Sequence, residues 1–221
     1  SGTTQSSEAA DQAALHVSGT DLVDANGHTV ILHGMSTHGL QWFGQFANAG
    51  AFQSLQDRGA NLVRLAMYTG EGGYLSDPNV KNTLYAAADA AIARKLYVII
   101  DWHILSDGNP QTNQNAAETF FNEVSQRYSK SPYVIYEICN EPNGNVTWSG
   151  NIKPYAEAVI PVIRANAPNS VIIVGTPTWS QDVDVAASDP LNFSNVLYAL
   201  HFYAGTHGQS LRDKIDAARA K

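Results

Sequence analysis

The chain has 221 residues, 44% apolar and 15% charged, with 13 Lys and Arg against 20 Asp and Glu for a formal net charge of -7. That length supports one substantial core and is short for two, and the acidic balance argues against nucleic acid, which needs a basic surface; the low charge density suits a neutral substrate better than a phosphorylated one. No apolar run approaches the roughly 20 residues that cross a bilayer, so no membrane partner is expected, and the single cysteine, Cys139, leaves no disulfide or cysteine-rich zinc site within the chain.

Residues 1–12 are small and polar and read as a disordered arm, a linker remnant or an engineered remnant. Ser1 in place of Met, with no apolar leader behind it, indicates a start already processed or engineered. Residues 13–221 read as one domain. Within it, 15–33 have the pattern of a hairpin, with Asn26-Gly27 as the turn between Leu22-Val23 and Val30-Ile31-Leu32. Six short, nearly continuous apolar runs follow, at 31–35, 62–67, 96–100, 134–139, 171–174 and 196–202, as expected of parallel strands covered by helices. Helical spacing occupies 52–58, 80–94, 116–128, 152–166 and 211–221, with a short candidate at 182–187. Gly59, Pro132 and Pro168 punctuate helix ends. The alternation predicts about six β/α units. A (β/α)8 TIM barrel has eight, so the fold class expected is an α/β barrel lacking strands seven and eight, preceded by a β-hairpin. An open parallel sheet of six strands is the alternative.

The residues at the strand ends carry the functional signal. The first strand runs into Gly34 through Trp42, including His38; the second carries Arg64 and ends at Tyr68; the third ends Asp101-Trp102-His103. The fourth ends Asn140-Glu141 and is stopped by Pro142. The fifth leads to Thr178-Trp179, and the sixth ends His201-Phe202-Tyr203 with His207 close behind. Chance would scatter such groups over both ends of the strands. Collected at one end they define an active-site rim, because barrels do their chemistry at the C-terminal mouths of their strands. Trp and Tyr offer flat faces to pyranose rings, and Asn, His and Tyr offer directional partners to hydroxyls. A carboxyl such as Glu141, if held protonated near neutral pH, can protonate a glycosidic oxygen as the bond breaks. The chemistry these groups suit is hydrolysis of a neutral, hydroxyl-rich polymer.

Plainer roles suit other residues. Glu137 reads as structural or as support for the rim, His33 as a core histidine, Trp102 and Phe202 as barrel wall, and Cys139 as a buried, inert thiol. Trp148 fits a sugar platform or a loop anchor equally. The rim histidines could ligate a metal in another class of hydrolase, but there is no His-x-His pair and no His-Glu-x-x-His helix. No metal is expected. Gly70, Gly72 and Gly73 lack the Gly-Lys-Ser/Thr ending of a phosphate loop.

Five segments carry a resemblance to a known family: 32–39 (Leu-His-Gly-Met-Ser-Thr-His-Gly), 61–65 (Asn-Leu-Val-Arg-Leu), Asp101-Trp102-His103, 136–144 (Tyr-Glu-Ile-Cys-Asn-Glu-Pro-Asn-Gly) and 200–203 (Leu-His-Phe-Tyr). Over about residues 15–221 the chain resembles glycoside hydrolase family 5, in its bacterial endo-β-1,4-glucanase (cellulase) branch. The resemblance implies a secreted enzyme with a (β/α)8 barrel, a retaining double displacement on β-1,4-linked glucan or cello-oligosaccharides, and no metal or organic cofactor. It makes Glu141 the general acid/base, Asn140 the residue that binds the sugar 2-hydroxyl, and Arg64 the guanidinium that supports the nucleophile. His38, His103, His201 and Tyr203 would line the subsites around the cleaved bond, with Trp42, Tyr68, Trp179 and His207 as further sugar contacts. Mannan, xyloglucan and mixed-linkage enzymes share these motifs, so subsite loops decide the polysaccharide.

The same resemblance puts the nucleophile, a second Glu, at the end of strand seven and an aromatic platform after strand eight. This sequence has no Glu after Glu157, and retention needs two carboxyls about 5 Å apart. The chain alone is therefore expected to be inactive. A C-terminal fragment or second chain, arising from proteolytic nicking, splitting or a swapped assembly, would bring the nucleophile and close a sheet whose open edges favour association. A non-catalytic carbohydrate-binding remnant, which keeps the rim without turnover, is the alternative from a different class.

Overall fold

Short runs rich in Val, Ile and Leu, each too brief for a helix and buried on both faces, dictate the framework. The structure, a computed structural model, describes residues 13–19, 21–177 and 182–199. The arm at 1–12, Thr178 and Trp179, the motif around His201, Phe202 and Tyr203, His207 and the helix expected at 211–221 lie outside the described residues. Two antiparallel strands, β1 (His16–Ser18) and β2 (Asp21–Val23), precede six parallel ones: β3 (Gly34–Ser36), β4 (Leu62–Tyr68), β5 (Tyr97–His103), β6 (Val134–Cys139), β7 (Ile172–Val174) and β8 (Val196–Tyr198). Between them lie helices α1 (Leu40–Phe43), α2 (Ala49–Asp57), α3 (Val80–Ala93), α4 (Gln114–Arg127), α5 (Lys153–Asn166) and α6 (Asp182–Ser188).

The parallel strands pair in chain order, β3-β4-β5-β6-β7-β8. A doubly wound sheet reverses its order at a switch point; this one does not, and its wall is that of a partial α/β barrel. All residues of β4 and β6 are buried. One face, with Val63, Leu65, Val98, Ile100 and Tyr136, packs on Leu84, Ala88, Phe120, Phe121 and Ile160 of the helices. On the other face Leu62, Ile99, Ile135, Ile173 and Leu197 meet Leu15 and Leu22 of the N-terminal ribbon. That second cluster draws on five consecutive strands, which an apolar layer at the floor of a curved wall requires. The ribbon is tied there by Val17 N–H donating to Asn195 Oδ1 (2.9 Å) and Tyr97 OH donating to the Ala13 carbonyl (2.7 Å).

Several expectations shift. The Asn26-Gly27 turn forms, with Gly27 at φ 81 and its N–H on the Asp24 carbonyl, but it makes one isolated bridge, Val23 with Thr29, closed by Val30 N–H on the Leu22 carbonyl and Asp24 N–H on the His28 carbonyl; the regular pairing of β2 is with β1. The first barrel strand starts at Gly34, not 31, and Ile31 is 47% exposed. Before Gly34 the partner of His33 N–H is the Asn61 side chain (2.7 Å), so the ladder begins late. At Gly34 the strands approach so closely that a Cβ would sit 1.8 Å from the Leu62 carbonyl oxygen, and only glycine fits. His33 is half-buried rather than a core residue. Helix α1 was not anticipated, because four residues are too few to show a helical period. Helix α2 begins three residues before the expected 52, where Asn48 Oδ1 accepts from Ala51 N–H (3.1 Å) as its N-cap.

One irregularity sets up everything that follows. The pairing of β6 with β7 shifts register between Glu137 and Cys139. Strand side chains alternate faces, so 135, 137 and 139 should all point inward. The bulge breaks that parity: Ile138 and Cys139 both join the helix-side core, and Asn140 rejoins the face of Glu137. Cys139 is fully buried, and burial pushes its thiol up to about 12. At about pH 8 its thiolate fraction is then roughly a thousandfold below that of a free cysteine. Timed alkylation read by mass spectrometry should leave the native chain unmodified and label it at the free-thiol rate in urea. Rapid labelling of the native chain would contradict this packing.

Candidate active site

Above the apolar floor the inward positions turn polar. Arg64 is 1% exposed and Glu137 1% exposed, and they meet through two parallel bonds, Nε to Oε1 at 2.8 Å and Nη2 to Oε2 at 2.9 Å. This is the bidentate fork that guanidinium and carboxylate geometry favours. Nη1 also donates to Ser36 Oγ (3.1 Å), and Nη2 donates to Asn140 Oδ1 (2.9 Å) and lies 2.8 Å from Asp101 Oδ2. Side chains from β3, β5 and the mouth half of β6 thus converge on the one cation that β4 supplies.

The layer nearest the mouth is aromatic and amide. His103 Nδ1 lies 2.6 Å from Asp101 Oδ2, and its Nε2 lies 3.3 Å from Asn140 Nδ2. Tyr68 stacks on the His103 ring, 4.2 Å between centroids and 10° between planes. Burial, and then the Asp101 charge, push the Tyr68 hydroxyl above its ordinary value. Trp42 meets Tyr68 edge-on at 5.4 Å and is 50% exposed, which leaves an indole face available to a ligand.

Five of the expected site residues, Arg64, His103, Asn140, Tyr68 and Trp42, are therefore linked by contact. Glu141 follows Asn140 at the strand mouth and is half-buried, its carbonyl accepting from Asn143 Nδ2 (3.2 Å). His38 stands two residues beyond β3 and is exposed. Trp179, His201, Tyr203 and His207 are not among the described residues. Trp148 resolves as a loop anchor: it is 1% exposed, donates Nε1–H to the Asp189 carbonyl (2.8 Å) and packs edge-on against Tyr198. Trp102 is wall, buried against Phe120 and Tyr74. Glu137 takes the supporting role expected of it.

Two members of the cluster, Asp101 and Ser36, lie in the motifs read from sequence but had no role assigned there. Asp101 carried a usable signal, since it lies two residues from His103 and so shares its face of β5. Its Oδ1 is buried with no hydrogen-bond partner among the described residues. No three His, Cys, Asp or Glu side chains group as a metal site among those residues, and no helix there is long and apolar enough to cross a membrane.

A polar core of this composition at the C-terminal ends of parallel barrel strands can be compared with known proteins. The family profile described as Cellulase (glycosyl hydrolase family 5) matches residues 23–220. The chain belongs to glycosyl hydrolase family 5. It is 55% identical over 209 residues to an endoglucanase of Clostridium saccharobutylicum, covering 94% of this chain and 47% of that protein. It is 57% identical over 197 residues to Endoglucanase A of Evansella cellulosilytica, covering 88% and 40%. The chain thus spans about half the length of the curated relatives it matches. Among solved structures, the catalytic domain of Thermobifida fusca endoglucanase Cel5A superposes with a TM-score of 0.82 at 40% identity, over 95% of this chain and 72% of that one. A form of the same domain in complex with cellotetraose gives 0.81 at 44% identity, over 86% and 64%.

The Arg64 cluster makes a sharp stability expectation for this family 5 chain. Arg64→Met removes the cation that faces the buried carboxylates of Glu137 and Asp101, and breaking a buried pair by removing one partner costs about 3–5 kcal/mol. Urea unfolding should show that loss, with Arg64→Lys intermediate because it keeps the charge and loses the fork. A loss below about 1 kcal/mol would mean the cluster is solvated.

Proposed function

We propose that this chain supplies the acid/base half of a retaining endo-β-1,4-glucanase acting outside the cell on cellulose-type chains or cello-oligosaccharides. The observation that carries the reading is the cluster of Arg64, Asn140 and His103 at the mouths of adjoining strands in a family 5 chain, with Glu141 directly after Asn140. Glu141 is the general acid that protonates the departing oxygen and then the base that activates water. Asn140 binds the 2-hydroxyl of the sugar, and the indole of Trp42 with the Tyr68 ring carries a sugar face further along. His38, His103, His201 and Tyr203 line the cleaved bond, and Trp179 and His207 add sugar contacts. The cellotetraose bound by the Thermobifida fusca domain supports the substrate class.

A retaining mechanism needs a second carboxylate about 5 Å from the first. Glu137 is tied at both oxygens to Arg64 and is not offered for attack. Residues 13–221 are in this reading a barrel domain without strands seven and eight, and the nucleophile belongs to polypeptide outside these 221 residues, held there against the Arg64 guanidinium. No cofactor is called for, because proton transfer and carboxylate attack complete the reaction.

The test uses the chain alone and the chain continued by the C-terminal half of the Clostridium saccharobutylicum relative, both assayed on carboxymethyl-cellulose beside intact mass measurement. Activity is expected only from the continued chain. In it, Glu141→Gln should cut kcat/KM on cello-oligosaccharides by roughly 10²–10⁴-fold, the usual worth of a general acid, and lower it far less on activated aryl cellobiosides, whose leaving group needs no proton, while kcat falls on both because the second step has lost its base. Turnover by the 221-residue chain would sink the idea of an external nucleophile; equal loss of kcat/KM on both substrates would sink the acid role. Saccharide binding without turnover in every form would favour the carbohydrate-binding alternative.

A further inference from the structure

Asp101 belongs to none of the roles given above, yet it touches two of the residues that have them. We propose that Asp101 is the positioning residue of the site: it fixes His103 in the tautomer with the proton on Nδ1, and through that ring fixes the rotation of the Asn140 amide. The consequence for sugar recognition rests on the glucanase reading; the hydrogen-bond assignment does not.

The assignment follows from what each atom can do. A guanidinium only donates, so the Asn140 atom 2.9 Å from Arg64 Nη2 is the amide oxygen. Nδ2 then faces the other way, 3.3 Å from His103 Nε2 and 3.4 Å from the Ile104 carbonyl. An amide nitrogen carries only donors, so both neighbours must accept. A carbonyl always can. A neutral imidazole accepts at Nε2 only when its proton sits on Nδ1, and Nδ1 lies 2.6 Å from the Asp101 carboxylate, which accepts. The other tautomer would set Nε2–H against the Asn140 N–H and an Nδ1 lone pair against a carboxylate oxygen, two repulsions in place of two bonds.

Asp101 is well placed to hold this order. It is fully buried, and the same Oδ2 that meets His103 lies 2.8 Å from Arg64 Nη2, so the carboxylate is anchored by the cation it helps to balance. The Tyr68 face, parallel to the imidazole at 4.2 Å, restrains ring tilt. Arg64, Asp101, His103 and Asn140 form a closed circuit in which the donor-only guanidinium and the acceptor-only carboxylate dictate every polarity between them. The amide edge that meets a sugar 2-hydroxyl is thereby set before any sugar arrives.

The test reads the ring nitrogens directly. The ¹⁵N resonances of histidine-labelled chain are recorded well above the ordinary imidazole pKa of about 6.5, with His103 assigned by its absence from His103→Gln. A pyrrole-type Nδ1 and a pyridine-type Nε2 are expected in the wild type. The same pattern is expected in Asp101→Asn, whose amide oxygen can take the Oδ2 position. In Asp101→Ala both nitrogens should move to averaged, mixed-tautomer shifts. A pyridine-type Nδ1 in the wild type overturns the proposal. So does an unchanged pattern in Asp101→Ala, the result of a carboxylate that only fills space. If Asp101→Ala does not fold, the wild type still decides: the Nδ1 proton in so short a bond should resonate far downfield and resist exchange, and its absence overturns the assignment. No arm uses turnover, so failure of the tautomer and failure of the glucanase reading are separable.

Discussion

A guanidinium buried in the interior of a barrel wall is the constraint to which most of this molecule answers. Taking such a charge out of water costs several kcal/mol even after relaxation, and only close counter-charges with satisfied hydrogen bonds offset it. Arg64 is 1% exposed and meets Glu137 through a fork, with Asp101 and Asn140 also on Nη2 and Ser36 on the remaining nitrogen. None of these partners is local. Glu137 is 73 residues away and Asn140 is 76, so the cluster exists only when β3 to β6 are all in register. Stability and site geometry are therefore the same event. A chain that misplaced one of these strands would bury an unpaired ion, a penalty that also selects the correct register.

The floor beneath the cluster makes that electrostatics effective. Leu62, Ile99, Ile135, Ile173 and Leu197, sealed by Leu15 and Leu22 of the ribbon, close the bottom of the wall with apolar atoms. Charge interactions strengthen as the surrounding dielectric falls. The division between floor and mouth follows directly from strand alternation: moving two residues up β4 leads from Leu62 to Arg64, and two up β5 leads from Ile99 to Asp101. At β6 alternation alone would fail, since Ile135 and Glu137 would be followed inward by Cys139. The bulge after Glu137 corrects this, sending Cys139 into the helix-side core and turning Asn140 towards Arg64. Bulges next to functional groups commonly re-aim a side chain in this way.

How much of this could be read from residues alone depended on whether the cause was local. The run Val134–Cys139 is apolar, β-rich and bounded by Pro132 and Pro142, and its strand was placed without error. Helices α3, α4 and α5 carry enough turns for their period to show, and only their ends moved by a residue or two. The first barrel strand was misplaced because its start is set by the Asn61 side chain and by contact of Gly34 with the Leu62 backbone, both matters of tertiary approach. Trp148 stayed ambiguous for the same reason: a tryptophan in a Gly- and Asn-rich loop becomes an anchor only once the Asp189 carbonyl is beside it. Arg64, Tyr68, His103 and Asn140, which the structure brings into contact, were legible because each lies in or directly after an apolar run. The partnership of Asp101 with Arg64 was not, because nothing in a sequence says which inward positions of β4, β5 and β6 lie at one height.

The charge balance of the cluster bears on how the site can work. Within it, one guanidinium stands against the two carboxylates of Glu137 and Asp101. Two further carboxyls, Glu141 and the proposed external nucleophile, would join a region that already carries excess negative charge. In the proposed reaction a glycosidase needs one proton shared out to the acid. The sharing requires that the inner carboxylates keep their own partners, so that neither competes for that proton. The fork from Arg64 to Glu137 and the bond from His103 to Asp101 provide this. On this view the strict pairing of the buried ions serves the proposed chemistry as well as the fold.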